Sequence, residues 1–178
     1  MTLSEMAQTV PTLETERLTL GPLSQDHFQP MADFYASERA QFVGGPMDPE
    51  QTWRTLALEI GHWALRGYGR FAVTEKASGR MVGVIGPWNP HGWPEPEIGW
   101  DLMNGFEGKG YATEAARAAL DHAYRDLGWT TAISLVAKGN DGSRRVAERL
   151  GARFDREFTH VRFGLMDVMR HAGPGGAA

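Results

Sequence analysis

Apolar residues recur along this chain at two different spacings, and the switches between them mark out its elements. Arg17-Leu-Thr-Leu-Gly-Pro-Leu23 alternates as a strand does, and Pro22 stops it. Ser24 then stands as a cap for a helix in which Phe28, Met31, Ala32 and Tyr35 keep helical spacing. A second helix opens on Asp48, Pro49 and Gln51. They supply a capping carboxylate, a first-turn proline and the reciprocal partner of a capping box. Its predicted core stripe is Trp53, Leu56, Ala57, Ile60, Trp63 and Ala64, and Gly67 and Gly69 end it.

Three strands follow. Phe71 and Val73 alternate with Arg70, Ala72 and Thr74, and the turn Ala77-Ser-Gly-Arg80 leads into the continuous apolar run Met81-Val-Gly-Val-Ile85. A loop rich in Trp, Pro and His spans Pro87 to Pro96. Beyond it, Glu97-Ile-Gly-Trp-Asp-Leu-Met103 puts Ile98, Trp100 and Leu102 on one face and Glu97 and Asp101 on the other. The longest predicted helix, Gly110 to Leu127, carries a stripe of Ala112, Ala115, Ala116, Ala119, Leu120, Ala123, Tyr124 and Leu127 before Gly128. A strand at Ala132–Ala137, a short helix at Ser143–Leu150, and two strands at Arg153–Glu157 and His160–Met169 complete the order β-α-α-β-β-β-α-β-α-β-β. One strand–helix–strand crossover, over residues 97 to 137, should set its two strands parallel.

The pattern runs without an internal repeat from Leu13 to Met169, one domain's worth of chain, between a loose start (1–12) and a flexible tail (170–178). With 42% hydrophobic and 22% charged residues, the 178-residue chain has ordinary globular composition. Its net charge of −4 argues against broad electrostatic capture of nucleic acid. No apolar run is long enough for a membrane span, and the first residues lack a basic-then-apolar leader. A cytoplasmic protein without nucleic-acid or membrane partners is the expectation. Cysteine is absent, which excludes thiol nucleophiles and thiolate metal sites, and the six histidines show no metal-binding spacing, so no metal is expected.

The chemistry-bearing segment is Phe106-Glu-Gly-Lys-Gly-Tyr-Ala-Thr-Glu-Ala115, set between a strand and the longest helix. Gly108 and Gly110 leave backbone amides uncovered, and the helix that follows aims its free N–H groups and positive dipole end at the same point. That combination suits phosphate or pyrophosphate. A lone G-x-G before a helix is also a common tight turn. This one fits neither the P-loop nor the dinucleotide fingerprint.

Context adds more. Taken with Glu97-Ile-Gly-Trp100, Asn140-Asp-Gly-Ser143, Arg149-Leu-Gly-Ala152 and the opening Leu13-Glu-Thr-Glu-Arg-Leu-Thr-Leu20, the segment resembles the GNAT acetyltransferases. It is most similar to the RimJ/RimL-like branch of ribosomal-protein N-terminal acetyltransferases. The resemblance implies an α/β fold of mixed α+β type. Its central, twisted, mostly antiparallel sheet has about seven strands, splays between two parallel ones, and is flanked by about four helices. It implies acetyl-CoA as cosubstrate and an amine acceptor, either a small molecule or a protein N-terminus. A homodimer is an open alternative.

By the same resemblance, Gly108, Lys109, Gly110, Tyr111 and Ala112 form the pyrophosphate loop, with Glu107 just before it and the Thr113 hydroxyl just after it as further cofactor contacts, and Asp101, Leu102 and Met103 border the pantetheine arm. Asn140 and Ser143 adjoin that arm, and Arg149 lies near the nucleotide end. Glu97 is the first choice of general base, against a solvated or ion-paired strand carboxylate. Ser143 is a candidate acid for the departing thiolate, against a helix cap. Trp88, His91, Trp93 and Glu95 are acceptor-wall candidates, with surface or structural roles as the alternative for His91. The chain departs from the family pattern at Gly105, at Glu107, and at Ala147, where many relatives carry a tyrosine acid. A non-catalytic acyl-CoA sensor is the alternative to an enzyme, and a nucleotide-phosphate enzyme is a third reading.

Overall fold

A computed structural model describes residues 10–175. Eight strands form one sheet: β1 (Leu13–Glu14), β2 (Leu18–Gly21), β3 (Phe71–Glu75), β4 (Met81–Trp88), β5 (Glu97–Leu102), β6 (Ile133–Ala137), β7 (Arg153–His160) and β8 (Gly164–Arg170). Their order across the sheet is β1-β2-β3-β4-β5-β6-β8-β7, antiparallel throughout except for the parallel pair β5–β6. The α-helices are α1 (Phe28–Tyr35), α2 (Pro49–Arg66), α3 (Tyr111–Arg125) and α4 (Asp141–Arg149). The sheet has one strand more than the seven expected, because the chain entering β2 first makes the two-residue β1.

Local chemistry explains the boundaries. Asp48 and Gln51 form the reciprocal cap of α2 with Pro49 at its start, and Gly67 closes it in the left-handed region at φ 74°. Ser24 caps a single 3-10 turn, Gln25–His27, from which α1 continues. The main core lies between the sheet and the helices. The alanine stripe of α3 (Ala112, Ala115, Ala116, Ala119, Ala123) lets that helix pack closely on β4 and β5.

Two expectations shift. On α2 the buried positions are Thr52, Leu56, Glu59 and His62, while Trp53 is 53% exposed and Ala64 lies outside the core. This helix turns a partly polar face inward. At the other end, Arg170 completes β8 and His171 is buried, so the fold runs past Met169. Val10 packs on the core ahead of Leu13. Of the expected loose ends, residues 1–9 and 176–178 lie outside the described residues. No described helix is long and apolar enough to cross a membrane.

Candidate active site

The site grows from the single crossover in the sheet. Strands β5 and β6 share only one paired rung, Glu97 with Ile133, closed by the Ile133 N–H donating to the Pro96 carbonyl at 3.0 Å. Past that rung side chains bridge the widening gap. The Ser134 hydroxyl donates to the Ile98 carbonyl at 2.7 Å, and the Leu135 N–H donates to Glu97 Oε1 at 2.8 Å. On the other edge of β5, the Met103 N–H donates to Val82 at 2.9 Å. Antiparallel pairing alternates, so the peptides of Trp100 and Leu102 face the gap.

Beside this gap stands the glycine loop. Gly108 and Gly110 sit at φ 74° and 81°, and Gly110 is the N-cap of α3 with no side-chain cap bond. The first amides of α3 are therefore uncovered at its positive end. Glu107 turns away from them: its carboxylate accepts from the Gly105 N–H at 2.8 Å and pairs with Arg39 Nε at 2.6 Å. Arg39 also donates to the Leu102 carbonyl and to Asn104, tying the loop together. The negative charge at Glu107 is thus neutralised within the loop.

The other predicted cofactor residues divide. Tyr111 packs in the core and donates its hydroxyl to Glu75, so only its amide faces the loop. Ala112 is buried, and Thr113 is half-buried. Lys109 lies 5.2 Å over the Phe106 ring, and its carbonyl accepts from Arg17. Met103 is buried and its amide is engaged by β4. Asp101 is buried, bound to Tyr35 and Arg70. Asn140 caps α4 by accepting from the Ser143 N–H at 3.1 Å. Ser143 is therefore not the cap; its Oγ accepts from Trp100 Nε1 at 3.2 Å. Arg149 is exposed. Ala147 is buried against Val136, Ala152 and Met169, so the family's tyrosine position is filled by packing.

A cleft of about 770 Å³ opens from the strand gap. Trp100, Asn140 and Ser143 line it, and so do Trp88, His91, Trp93 and Glu97. Glu97 is only 6% exposed. Burial pushes its carboxyl up to about 7, against the pull of the Leu135 N–H, the Trp93 indole N–H and the charge of Arg70. Glu95 does not line the cleft. Arg170 and Arg156 hold it in ion pairs at 2.9 and 2.6 Å and bring its carboxyl down to about 2.

The sequence reading missed a buried polar cluster on the cleft floor. Arg70 pairs with Glu59 and, at 3.0 Å, with Asp101, whose Oδ2 also accepts from the Tyr35 hydroxyl at 2.8 Å. The signal was present in α2, where Thr52, Glu59 and His62 follow helical spacing on the inward face. No group of three or more His, Asp or Glu among the described residues could hold a metal ion.

Comparison with known proteins places this architecture. Residues 17–153 match the acetyltransferase (GNAT) domain family. The chain belongs to the GNAT acetyltransferases. An acetyltransferase from Agrobacterium tumefaciens superposes with a TM-score of 0.83 at 39% identity, covering 90% of this chain and 94% of that one. YkkB of Bacillus subtilis, itself uncharacterized, is 33% identical over 65% of this chain and 68% of its own length. RimL, a ribosomal α-N-protein acetyltransferase solved with coenzyme A, shares the GNAT fold. Its TM-score is 0.71 at 17% identity, covering 91% of this chain and 98% of RimL.

Proposed function

We propose that this protein is an acetyl-CoA-dependent N-acetyltransferase acting on a primary amine by direct attack within a ternary complex. One observation carries the reading. A buried carboxylate, Glu97, lies in the cleft that opens where β5 and β6 part, and the far end of β5 leads on to a helix start whose amides are uncapped. The residues suit the coenzyme. Free amides follow Gly110, the Trp100 and Leu102 peptides lack a strand partner at the gap, and Asn140 and Ser143 line the adjoining wall.

Acetyl-CoA supplies an activated acyl carbon. The amine nitrogen bonds to that carbon, the carbon–sulfur bond breaks, and the products are an amide and the free thiol of CoA. The chain's own residues do three things. Glu97 accepts a proton from the incoming ammonium or amine, a role for which a carboxyl near 7 is well placed. The Leu102 N–H donates to the carbonyl oxygen as negative charge develops on it. Ser143, its Oγ accepting from Trp100, can direct its own proton to the leaving sulfur. Asp101 and Met103 do not contact the coenzyme in this reading, because the first is bound within the Arg70 cluster and the second within the sheet.

Calorimetry with CoA and acetyl-CoA, alongside a thiol-release assay over an amine panel, tests the reading. Binding of both and amine-dependent release of thiol are expected. Failure to bind either at about 1 mM, weaker than the range useful to an enzyme, removes it.

A further inference from the structure

The acceptor half of the cleft has an uncommon lining. His62 stacks on Trp88 with centroids 4.4 Å apart and planes 21° from parallel. Trp93 meets Trp88 edge-on at 6.4 Å, and His160 and Phe163 stand 5.0 and 5.9 Å from Trp93. All five rings line the cleft that holds Glu97, and the Trp93 indole N–H donates to Glu97 Oε2. The proton acceptor is thus set directly into an aromatic wall.

The buried charge in the same space is unbalanced, although the exposed Arg66 and Arg162 also line the cleft. Glu59, Asp101 and Glu97 face a single buried cation, Arg70, whose guanidinium is already engaged by the first two. Burial lowers the pKa of His62, which keeps it neutral near pH 7. A cationic ammonium entering here draws Glu97 into its charged form and gains both that carboxylate and the ring faces. A carboxylate carried deep into the cleft beside Glu97 would meet no unengaged buried cation among the described residues.

The cleft is also roofed. A side chain on Gly44 would begin 2.9 Å from Phe163 Cε1 and 3.2 Å from Arg162 Nη2, so the β7–β8 hairpin tip rests on the Gly44 turn. Phe42 and Val43 on one side of this contact, and Arg162 and Phe163 on the other, all line the cleft. At the mouth stand Leu58 and Leu65, 50% and 85% exposed, which offer nothing to a peptide backbone.

We propose that the acceptor is a small primary amine with a flat aromatic body, an arylalkylamine, whose ammonium lies at Glu97 and whose ring lies among Trp88, Trp93 and His62. This rests on the acetyltransferase reading above and narrows its acceptor. A protein N-terminus, with its polar backbone, would have to thread beneath the hairpin contact.

The test compares tryptamine and 2-phenylethylamine with butylamine, spermidine and a tetrapeptide with a free N-terminus, in two assays. The first is thiol release at saturating acetyl-CoA. The second is calorimetric binding of each amine to the protein loaded with CoA. The arylalkylamines are expected to exceed all others in kcat/KM, and to bind more tightly than butylamine, by about tenfold. Equal or better use of the tetrapeptide or spermidine overturns the proposal but leaves the acetyltransferase standing. Tight binding of the arylalkylamines without turnover does the reverse. Absence of preferential binding also overturns it. Phe163→Ala, at the half-buried hairpin tip, should raise the arylalkylamine KM at least fivefold with kcat within threefold, in a variant that circular dichroism shows folded at the assay temperature. An unmoved KM overturns the placement of the acceptor ring beneath the hairpin.

Discussion

Replacing Glu97 with glutamine probes the site in two independent ways. The carboxyl has an ordinary value of 4.5 and is raised to about 7 in the fold, chiefly by burial. Between those values the folded protein keeps a proton that the unfolded chain has released. The unfolded state then binds fewer protons, so this group's contribution makes stability fall as pH rises, by about 1.4 kcal/mol per pH unit and about 3 kcal/mol in all. Glutamine carries no charge and removes that slope. Its one carbonyl oxygen can accept from the Leu135 N–H or from the Trp93 indole, not both. One donor loses its partner, at a cost of about 1–3 kcal/mol that does not vary with pH.

His171 complicates raw pH curves. Burial holds its pKa down to about 4, so stability is lost as pH falls from 6.5 toward 4, opposite to the trend from Glu97. The useful quantity is therefore glutamine variant minus wild type, from urea unfolding at each pH. That difference should move in the variant's favour by about 3 kcal/mol between pH 4.5 and 7. In the transfer assay the variant should lose about a hundredfold in kcat, and the acid limb near pH 7 should vanish. A rate within threefold of wild type with that limb intact would falsify the assignment of Glu97 as base. A flat stability difference would show that the carboxyl is not raised.

Two further substitutions address other parts of the site. Gly110→Ala forces a side chain into the left-handed region at φ 81°, at about 1–2 kcal/mol, or else turns the loop and withdraws the amides that open α3. Calorimetry should show CoA binding at least tenfold weaker, and unaltered binding would mean the loop does not hold the coenzyme. Arg70→Leu leaves Glu59 and Asp101 buried without their cation. A loss of about 3–5 kcal/mol is expected by denaturant unfolding. A change under 1 kcal/mol would mean that the cluster relaxes or takes up protons readily.

Much of this molecule was legible from residue order because local signals agreed with tertiary structure. Asp48, Pro49 and Gln51 cap α2 as read, and the alanine stripe of α3 faces the core. The β5–α3–β6 crossover gives the parallel pair, and Gly110 ends the loop as the open N-cap. Periodicity held only in part on α2, where Leu56, Ile60 and Trp63 pack on the core but Trp53, Ala57 and Ala64 are exposed. Trp53 faces solvent while Glu59 and His62 turn inward, because that face borders the cleft and its buried Arg70 cluster rather than a dry core. Ser143 looked like a cap because the helix was begun two residues late; Asn140 occupies that place. Glu95 lies two residues from Glu97 and carries the same group. Its environment is set by Arg156 and Arg170 from the far end of the chain, which no local pattern announces.

The lone rung between β5 and β6 has a mechanical meaning. The sheet is in effect two slabs, β1 to β5 and β6 to β7, hinged at Glu97–Ile133 and laced beyond it by one hydroxyl and one carboxylate. Any ligand that offers amide groups to the unpartnered edge of β5 supplies missing stitches, so filling the seam and making the whole sheet cohere become the same event.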